Sequence, residues 1–447
     1  MAIGTRISRR KALTIGAAAG ALPLVHIRTA AAAGKVSVGF WDHWVPAGNG
    51  IMKKQVDAWA AKNKVEVTAD FITSVGNKNL MTIAAEAQAR TGHDIEAFPT
   101  WEVHNHSQSL EPMDDVMKEL TGKYGPANAV CEYLSKIKGQ WMAVPSSSGT
   151  QTKPACGRIS AFKKAGMDPT TTYPAKEVPT GEGADWTYDK LLALGPSMKQ
   201  QNLPYGIGLG QTSDSVDFAG GVFAAFGATL VDKAGNITVK TDPVRQVLDY
   251  YKKLTPFLAP DTLSYDDASN NRALISGKSS LIFNPPSAWA VATRDAPQVA
   301  ADSWTFPSPA GPKGRFIPYL PYFWGVWNFS RNKTAAKELI TYLMERPQVE
   351  ARANAVSGYD IPPFDSMDDF PIWSEVEPPK GTVYNYPIRK WHGSTPHVTA
   401  QEASPDVAVQ MYNQAVHTVM IAKYCFQNQS MEQVLAWANN EIEGYMR

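Results

Sequence analysis

Along residues 36–98, the spacing of hydrophobic and polar residues changes repeatedly between the period of a strand and the period of a helix. Residues 36–40, 65–72 and 94–98 are short β-prone runs, and in 65–72 apolar and polar residues alternate as in a strand. The longer runs between them, 49–63 and 79–90, carry apolar residues at helical spacing. Strand, helix, strand, helix, strand predicts a parallel α/β unit, because parallel strands need crossovers that place helices on the sheet faces.

The pattern beyond this unit is longer and less regular. Residues 139–154 read as a strand running into a Ser, Gly and Thr stretch, which we interpret as a hinge between lobes. Residues 203–211 are predicted as a glycine-rich strand, and residues 334–356 as one long helix. Residues 405–426 and 430–446 are predicted as two closing helices.

Polar and aromatic side chains cluster where two of the predicted strands end. Residues 41–44 (WDHW) follow the first strand, and residues 99–106 (PTWEVHNH) follow the third. Ligands of parallel sheets bind beyond the carboxyl ends of the strands. Because both clusters lie at the same edge of one sheet, we predict a binding site there.

The first 33 residues predict an export signal. Basic residues open the segment, residues 12–25 are apolar, and small residues precede Ala33. The Arg9-Arg10 pair resembles a twin-arginine signal, and the apolar run is shorter than the ~20 residues of a spanning helix. We therefore expect cleavage near Ala33 and a soluble periplasmic protein.

Charge and cysteine content narrow the class of protein. Without the five basic residues of the leader, 38 Lys and Arg stand against 42 Asp and Glu, a net charge of about −4. This charge gives no reason to expect nucleic acid or an anionic membrane as a partner. Cys131 and Cys156 either pair, leaving Cys425 spare, or all three are buried thiols. The length of the chain favours two lobes over one core.

Three motifs could indicate other chemistry, and each lacks a necessary part. His104 and His106 have no further ligands at short spacing, so we predict neither a metal nor a cofactor. The third glycine of residues 206–210 comes too early for a dinucleotide loop. Residues 146–148 are serines outside a Gly-x-Ser-x-Gly elbow, so we interpret them as part of the hinge.

Eight short segments spread over the chain form an ordered set. They are Trp41-Asp42 and residues 78–95, 139–145, 162–167, 185–192, 273–283, 306–309 and 332–343. In this order they resemble the extracellular solute-binding proteins of ABC importers, specifically the carbohydrate-binding family that includes maltose-binding protein. One departure is that residues 157–160 read Gly-Arg-Ile-Ser where the family usually has a Tyr-Asn pair, on a strand that often faces the ligand.

The resemblance implies an α/β protein with the two-lobe periplasmic-binding-protein fold (type II-like), a hinge and a ligand cleft between the lobes. The first lobe would comprise residues 34–147 and 324–365, and the second residues 148–323, on which the C-terminal helices of residues 366–447 would pack. The implied function is capture of a sugar or oligosaccharide and its delivery to the membrane subunits of an ABC permease by lobe closure. We expect a monomer that does no chemistry on its ligand.

A sugar ligand would explain the aromatic residues, since flat rings cover the C–H faces of a pyranose while polar groups bind its hydroxyls. The candidate ligand-binding residues are Trp41, Asp42, Trp44, Trp101, Glu102, His104, Trp289, Tyr322 and Trp324. Trp289 is expected in a loop after Asn284. Asp42 either contacts the ligand or caps the following helix, and one of Trp41 and Trp44 could belong to the core. Of Trp324 and Trp327, one would face the cleft and the other the core.

Two other interpretations stay open. Tryptophans with acidic neighbours also suit a quaternary ammonium ligand through cation–π attraction, and a polyol would need similar polar groups. In a secreted glycosidase, Asp42 and Glu102 would be the carboxylate pair that such enzymes use.

Overall fold

The computed structural model describes residues 34–173, 186–284, 287–372 and 393–447. The predicted export signal, residues 1–33, lies outside the described residues. The strands within these ranges are β1 (Lys35–Trp41), β2 (Glu66–Ile72), β3 (Ile95–Pro99), β4 (Lys136–Ile137), β5 (Gln140–Trp141), β6 (Val144–Thr152), β7 (Ala155–Arg158), β8 (Leu281–Phe283), β9 (Ser303–Phe306), β10 (Ala310–Gly311), β11 (Gly314–Val326) and β12 (Thr395–His397).

The α-helices fall between and after these strands. They are α1 (Pro46–Asn63), α2 (Lys78–Ala89), α3 (Glu102–His106), α4 (Asp114–Tyr124), α5 (Ala129–Ser135), α6 (Ile159–Lys164), α7 (Pro169–Thr172), α8 (Tyr188–Gln200), α9 (Ser213–Phe226), α10 (Asp242–Leu254), α11 (Ser269–Ile275), α12 (Ser287–Asp295), α13 (Pro297–Ala301), α14 (Lys333–Leu343), α15 (Arg346–Ala355), α16 (Pro405–Asn413), α17 (Val416–Cys425) and α18 (Met431–Tyr445). None of the helices in the described ranges combines the length and the apolar character that a membrane crossing requires.

The larger sheet has the strand order β10-β11-β3-β1-β2, and β6 and β12 also pair with β11. β1 is parallel to both β2 and β3, so that Val38 lies opposite Ala69 on one side and Ile95 on the other. β1 is buried along most of its length, whereas the edge strand β2 alternates between half-buried and exposed residues. The predicted parallel α/β unit is therefore confirmed, with boundaries close to those expected.

A smaller antiparallel sheet, β8-β7-β9, belongs to a second hydrophobic core. Cys156 of β7 lies opposite Ile282 of β8 and Thr305 of β9. In this core the C-terminal helix α17 packs beside α9 and α10, and α18 packs against α16 and α17. All three cysteines are free thiols.

Two long strands, β6 and β11, pair across the region between the two cores. Tyr319 of β11 lies opposite Thr152 of β6, and Trp324 lies opposite Val144, with a register shift between Leu320 and Tyr322. An irregularity of this kind bends a strand and increases its twist. The predicted hinge segment, residues 139–154, thus contains one of the two strands that cross between the cores.

The glycine-rich strand predicted over residues 203–211 is wrong. Only Tyr205 forms bridges there, with Leu258 and with Leu281. A Cβ atom at Gly210 would lie 2.6 Å from the carbonyl oxygen of Tyr265, so this segment runs too close to its neighbour for ordinary residues. The glycines therefore reflect close backbone packing and not a strand.

Two predicted helices are interrupted, and one predicted loop is helical. Residues 334–356 form α14 and α15, which are separate because Pro347 stands in the first turn of α15, where a missing N–H costs nothing. Residues 405–426 form α16 and α17, which break at Ala415, a residue in the left-handed conformation (φ 51°). Trp289 lies on α12 and not in a loop.

Candidate functional site

A cavity of about 390 Å³ lies between the carboxyl edge of the larger sheet and the helices of the second core. From the sheet side it is lined by Ser74, Asn77, Asn79, Leu80, Met81, Ala84, Pro99, Thr100, Glu102, Asn105 and His106; from the other side by Gln211, Thr212, Ser213, Val216, Asp267, Tyr412 and Asn413; and from β11 by Leu320 and Tyr322. Amides, hydroxyls and carboxylates therefore converge from two separate parts of the chain on one space, as in small-molecule sites.

A larger groove of about 730 Å³ lies elsewhere, on the outer surface of α1, α4 and α14. It is lined by charges of both signs, such as the exposed Lys62 and Glu119. It lies away from the strand ends, and of the described residues that line it only Trp59 and Tyr342 are aromatic. We therefore take the cavity at the sheet edge as the candidate site.

The sheet side of the cavity is formed by the segments that follow β2 and β3. Asn77 precedes α2, and the short helix α3 carries Glu102, Asn105 and His106. Glu102 Oε2 accepts a hydrogen bond from Asn105 Nδ2 at 3.2 Å and lies 3.2 Å from His106 Nε2. These contacts hold the carboxylate in a fixed position at the cavity wall.

The opposite wall carries a second carboxylate, Asp267. Its oxygens accept hydrogen bonds from Ser213 Oγ at 3.1 Å and from the backbone N–H of Asp214 at 3.3 Å. Burial, followed by the nearby carboxylate of Asp214, raises the pKa of Asp267 to about 7. Asp267 is thus a cavity carboxyl whose charge changes near neutral pH.

A fully buried lysine supports this wall from behind. Lys153 Nζ lies 2.7 Å from Asp214 Oδ1 and 2.6 Å from Asp217 Oδ2. Burial alone would lower the pKa of Lys153, but the two carboxylates outweigh it and the pKa is raised above its usual value. The lysine remains charged and fixes the start of α9, where the polar residues of the cavity wall begin.

Aromatic rings form the inner end of the cavity. Tyr322 lines it and packs against Trp41, with ring centroids 5.2 Å apart. Trp41 Nε1 donates to Ser74 Oγ at 3.4 Å. Gly149, with φ of +86°, passes so close that a Cβ there would lie 2.9 Å from both rings.

Of the nine predicted ligand residues, Glu102 and Tyr322 line the cavity directly. Trp41 supports Tyr322 from behind and is 5% exposed. Asp42 Oδ1 accepts a hydrogen bond from Asn49 Nδ2 at 2.6 Å and so contacts the first turn of α1. Trp44 is half-buried and packs edge-on against Trp41 at 6.4 Å.

The other four predicted residues lie outside the cavity lining. Trp101 is fully buried and donates its indole N–H to the carbonyl of Thr399 at 3.1 Å. His104 packs beside it, and burial lowers the pKa of His104. Trp324 is 1% exposed and packs against Phe40.

Trp289 belongs to the same hydrophobic cluster as Trp41, Leu320 and Tyr322. Its indole nitrogen is buried without a hydrogen-bond partner in the described part of the chain. Trp289 belongs to the hydrophobic core of the first lobe and does not line the cavity.

His43, for which the sequence suggested no role, has a structural one. Its Nδ1 accepts the backbone N–H of Val45 at 2.9 Å, so its proton lies on Nε2, which faces Asp360 Oδ1 at 3.0 Å. Asp360 Oδ1 also accepts the N–H of Gly149 at 3.1 Å. This chain of contacts joins the end of β1 to the crossing strand β6.

The polar residues of the second wall were missed from the sequence. Gln211, Thr212, Ser213 and Asp267 come from loops and helix starts with no motif, and Asn413 from the end of α16. The polar run at residues 74–79 could have been found, because it follows β2 at the same sheet edge as the WDHW cluster.

Comparison with solved structures supports this architecture. The maltose-bound MalE3 protein of T. maritima is 16% identical, with 92% of this chain and 99% of that chain covered and a TM-score of 0.75. A Thermotoga lettingae TMO solute-binding protein bound with α-D-tagatose is 15% identical, with 93% and 100% covered and a TM-score of 0.73. An Arthrobacter chlorophenolicus A6 sugar transporter protein with bound laminaribiose is 16% identical, with 92% and 99% covered and a TM-score of 0.70.

The fold is therefore that of the two-lobe α/β binding proteins, with a hinge and a cleft between the lobes. Proteins of this class take up a small molecule between the lobes. The sequence model described as "Bacterial extracellular solute-binding protein" matches residues 54–379, and the chain belongs to this family. No curated protein sequence matches the chain.

Proposed function

We propose that this protein is the substrate-binding component of an ABC importer and that it binds a sugar or oligosaccharide in the cavity between the lobes. The observation that carries the proposal is the composition of the cavity walls. Asn77 and Asn105 on one side and Gln211, Ser213 and Asn413 on the other present amides and a hydroxyl to the same space. Such groups match the donors and acceptors of sugar hydroxyls.

Aromatic surface supports the same ligand class. Tyr322, backed by Trp41, presents a ring at the inner end of the cavity, and Tyr412 lines the opposite wall. A ring face suits the C–H face of a pyranose. Binding would close the lobes over the ligand, since both walls contribute polar groups that a bound sugar would bridge.

A quaternary ammonium or a polyol is the alternative ligand. An ammonium cage needs several aromatic faces around one point, and among the described lining residues the rings are Tyr322, Tyr412 and the imidazole of His106. The number of amides and hydroxyls favours a sugar. The glycosidase interpretation used Asp42 and Glu102 as its carboxylate pair. Asp42 accepts a hydrogen bond from Asn49 and does not line the cavity, so this pair does not face the ligand space.

The test is calorimetry with a panel of mono- and oligosaccharides, polyols, betaine and choline, with tryptophan fluorescence as a second signal. Glu102→Gln and Asn413→Ala, one from each wall, should each weaken binding about tenfold, since a lost hydrogen bond is worth about 1–2 kcal/mol. Asp57→Asn, an exposed change on α1, is the control and should leave the affinity unchanged. Binding of betaine or choline alone, or unchanged affinity in both wall variants, would contradict the sugar site.

Export and delivery to a permease complete the proposal. Residues 1–33 would direct export to the periplasm, and the mature protein would act as a monomer. Deleting the gene should abolish uptake of the sugar found by calorimetry, and the wild-type gene but not Glu102→Gln/Asn413→Ala should restore it at low sugar concentration. Product analysis after long incubation with an oligosaccharide should return the sugar intact; hydrolysis would support the enzyme instead.

A further inference from the structure

A second cluster of polar side chains surrounds His93, at the end of the larger sheet opposite the cavity. His93 Nδ1 lies 2.6 Å from Glu86 Oε1 and 3.2 Å from Glu96 Oε2. On the other side of the ring, Nε2 lies 3.1 Å from Asp70 Oδ2. One imidazole is thus faced by three carboxylates that come from β2, α2 and β3.

The cluster is built into the fold and is not a chance meeting of surface charges. Glu86 Oε2 accepts hydrogen bonds from Trp327 Nε1 and from the backbone N–H of His93, both at 3.1 Å. Gly39 and Gly92 make room for the carboxylates, since a Cβ atom at Gly39 would overlap Glu96 and one at Gly92 would overlap Glu86. Two glycines and an indole therefore hold two acidic side chains against the histidine.

One oxygen of this cluster has no hydrogen-bond donor among the described residues. Glu96 is 1% exposed, and its Oε2 is buried without a hydrogen bond. The nearby Nδ1 carries at most one proton, and that proton is directed at Glu86 Oε1, the closer oxygen. With a proton on each ring nitrogen the imidazole is cationic and its charge is shared among three carboxylates. Glu96 Oε2 receives neither proton, and a metal ion that replaces the Nδ1 proton would satisfy it.

We propose that Glu86, His93 and Glu96 bind a Zn²⁺ ion, with Nδ1 of His93 and one oxygen of each carboxylate as ligands; the proton on Nδ1 is released to water as the ion binds. One ligand atom from each residue lies within 4.8 Å of the others. Ligands of a tetrahedral zinc with bonds of about 2.0–2.1 Å lie about 3.4 Å apart, so small side-chain shifts suffice. The fourth position would hold water.

The surroundings match those of zinc-binding histidines. Asp70 Oδ2 accepts from Nε2–H, the carboxylate–histidine–metal arrangement that fixes the tautomer and orients the ring. An imidazole ligand favours zinc over magnesium or calcium, which prefer oxygen alone. At the Nδ1 side of the ring the side chains of His93 and Glu86 are 15% and 11% exposed, and ions can reach the ligands there.

The ion would stabilise the first lobe and leave the ligand cavity untouched. Its ligands join α2 to β3, and through Asp70 and Trp327 the site reaches β2 and the end of β11. Glu96 lies three residues before Pro99 at the cavity edge, about 10 Å along the strand. Zinc should therefore raise the melting temperature without changing sugar affinity.

The experiment is zinc titration of chelator-stripped protein against a chromogenic zinc chelator, with melting temperature as a second readout. We expect one ion per chain, and at least about 100-fold weaker binding in Glu96→Gln and His93→Gln. Asp70→Asn should weaken binding about 10-fold or more. Glu66→Gln, an exposed carboxylate on the same strand as Asp70, is the matched control and should bind like wild type.

Two results would overturn the proposal. One is the absence of stoichiometric zinc binding by stripped wild-type protein. The other is unchanged zinc affinity in Glu96→Gln. This variant replaces the carboxylate with an amide of the same shape, so it can be measured even if His93→Gln does not fold. Sugar calorimetry on the same samples separates this outcome from a failure of the proposed function.

Discussion

Lys153 offers the most demanding test of the reasoning, because it is fully buried between two carboxylates beside the cavity wall. Lys153→Met keeps most of the side-chain volume and removes the charge. Each Nζ–oxygen contact of 2.6–2.7 Å corresponds to about 6 kcal/mol of attraction at an effective dielectric constant of about 20, opposed by several kcal/mol of desolvation for each ion. Breaking a buried pair from one side usually costs about 3–5 kcal/mol, and we expect that loss here.

The matched variant removes all three charges. Lys153→Met/Asp214→Asn/Asp217→Asn leaves no uncompensated charge, and it should recover most of the stability lost in Lys153→Met. The single change should also raise the pKa of Asp267 further, because Lys153 is the positive charge that lowers it. Sugar affinity near neutral pH would then change with the charge state of Asp267.

Equilibrium unfolding in guanidinium chloride, followed by circular dichroism, measures these differences. For a chain of this length, a loss of 3–5 kcal/mol lowers the melting temperature by about 3–6 °C in a single transition. A Lys153→Met protein within about 1 kcal/mol of wild type would refute the argument. So would a triple variant that is no more stable than the single one.

Three further changes test other parts of the structure. The raised pKa of Asp267 means that the native state holds its proton more tightly than the unfolded chain does; stability from this group is full below about pH 4 and is lost as the pH rises to about 7. Asp267→Asn should remove this contribution, worth about 4 kcal/mol in unfolding experiments from pH 4 to 8, and an unchanged slope would contradict the assignment. Gly149→Ala should destabilise the native state by about 2–4 kcal/mol and shift the tryptophan emission, because φ is +86° and the new Cβ would press on Trp41. An emission spectrum like that of the wild type would contradict this, since it would mean that β6 moves away from Trp41. Trp101→Phe should cost about 1–3 kcal/mol, because the buried carbonyl of Thr399 loses its donor, and unchanged denaturant midpoints would argue against that bond.

Local pattern was sufficient for the first α/β unit, residues 35–99. The alternation in residues 65–72 and the helical spacing in residues 49–63 depend on neighbours along the chain, and the strands and helices follow them closely. The break at Pro347 was also readable, because proline favours the first turn of a new helix. The break at Ala415 was not, since nothing in an alanine indicates a left-handed conformation.

The aromatic residues show where sequence reasoning reached its limit. Trp41 and Trp101 were chosen because they follow predicted strands, and Trp324 as one of two alternating tryptophans of which one would face the cleft; the structure buries all three. A large ring near a strand end can face the cavity or pack behind it, and the choice depends on what the distant β6 and β11 place against it. Glu102, the first residue of α3, and Tyr322, within β11, line the cavity directly.

The sequence by itself determined the parallel α/β unit, the edge of the sheet at which a site would form and the family resemblance, because all three depend on local pattern or on the order of segments. Tertiary structure alone decided the second wall, with Asp267, Ser213 and Asn413, and the contacts around Lys153 and His93. These groups are separated by tens to hundreds of residues, and their pairing depends on how the two cores pack against β6 and β11. Burial and the nearby charge of Asp214 then bring the pKa of Asp267 close to neutrality, a property that no stretch of sequence specifies.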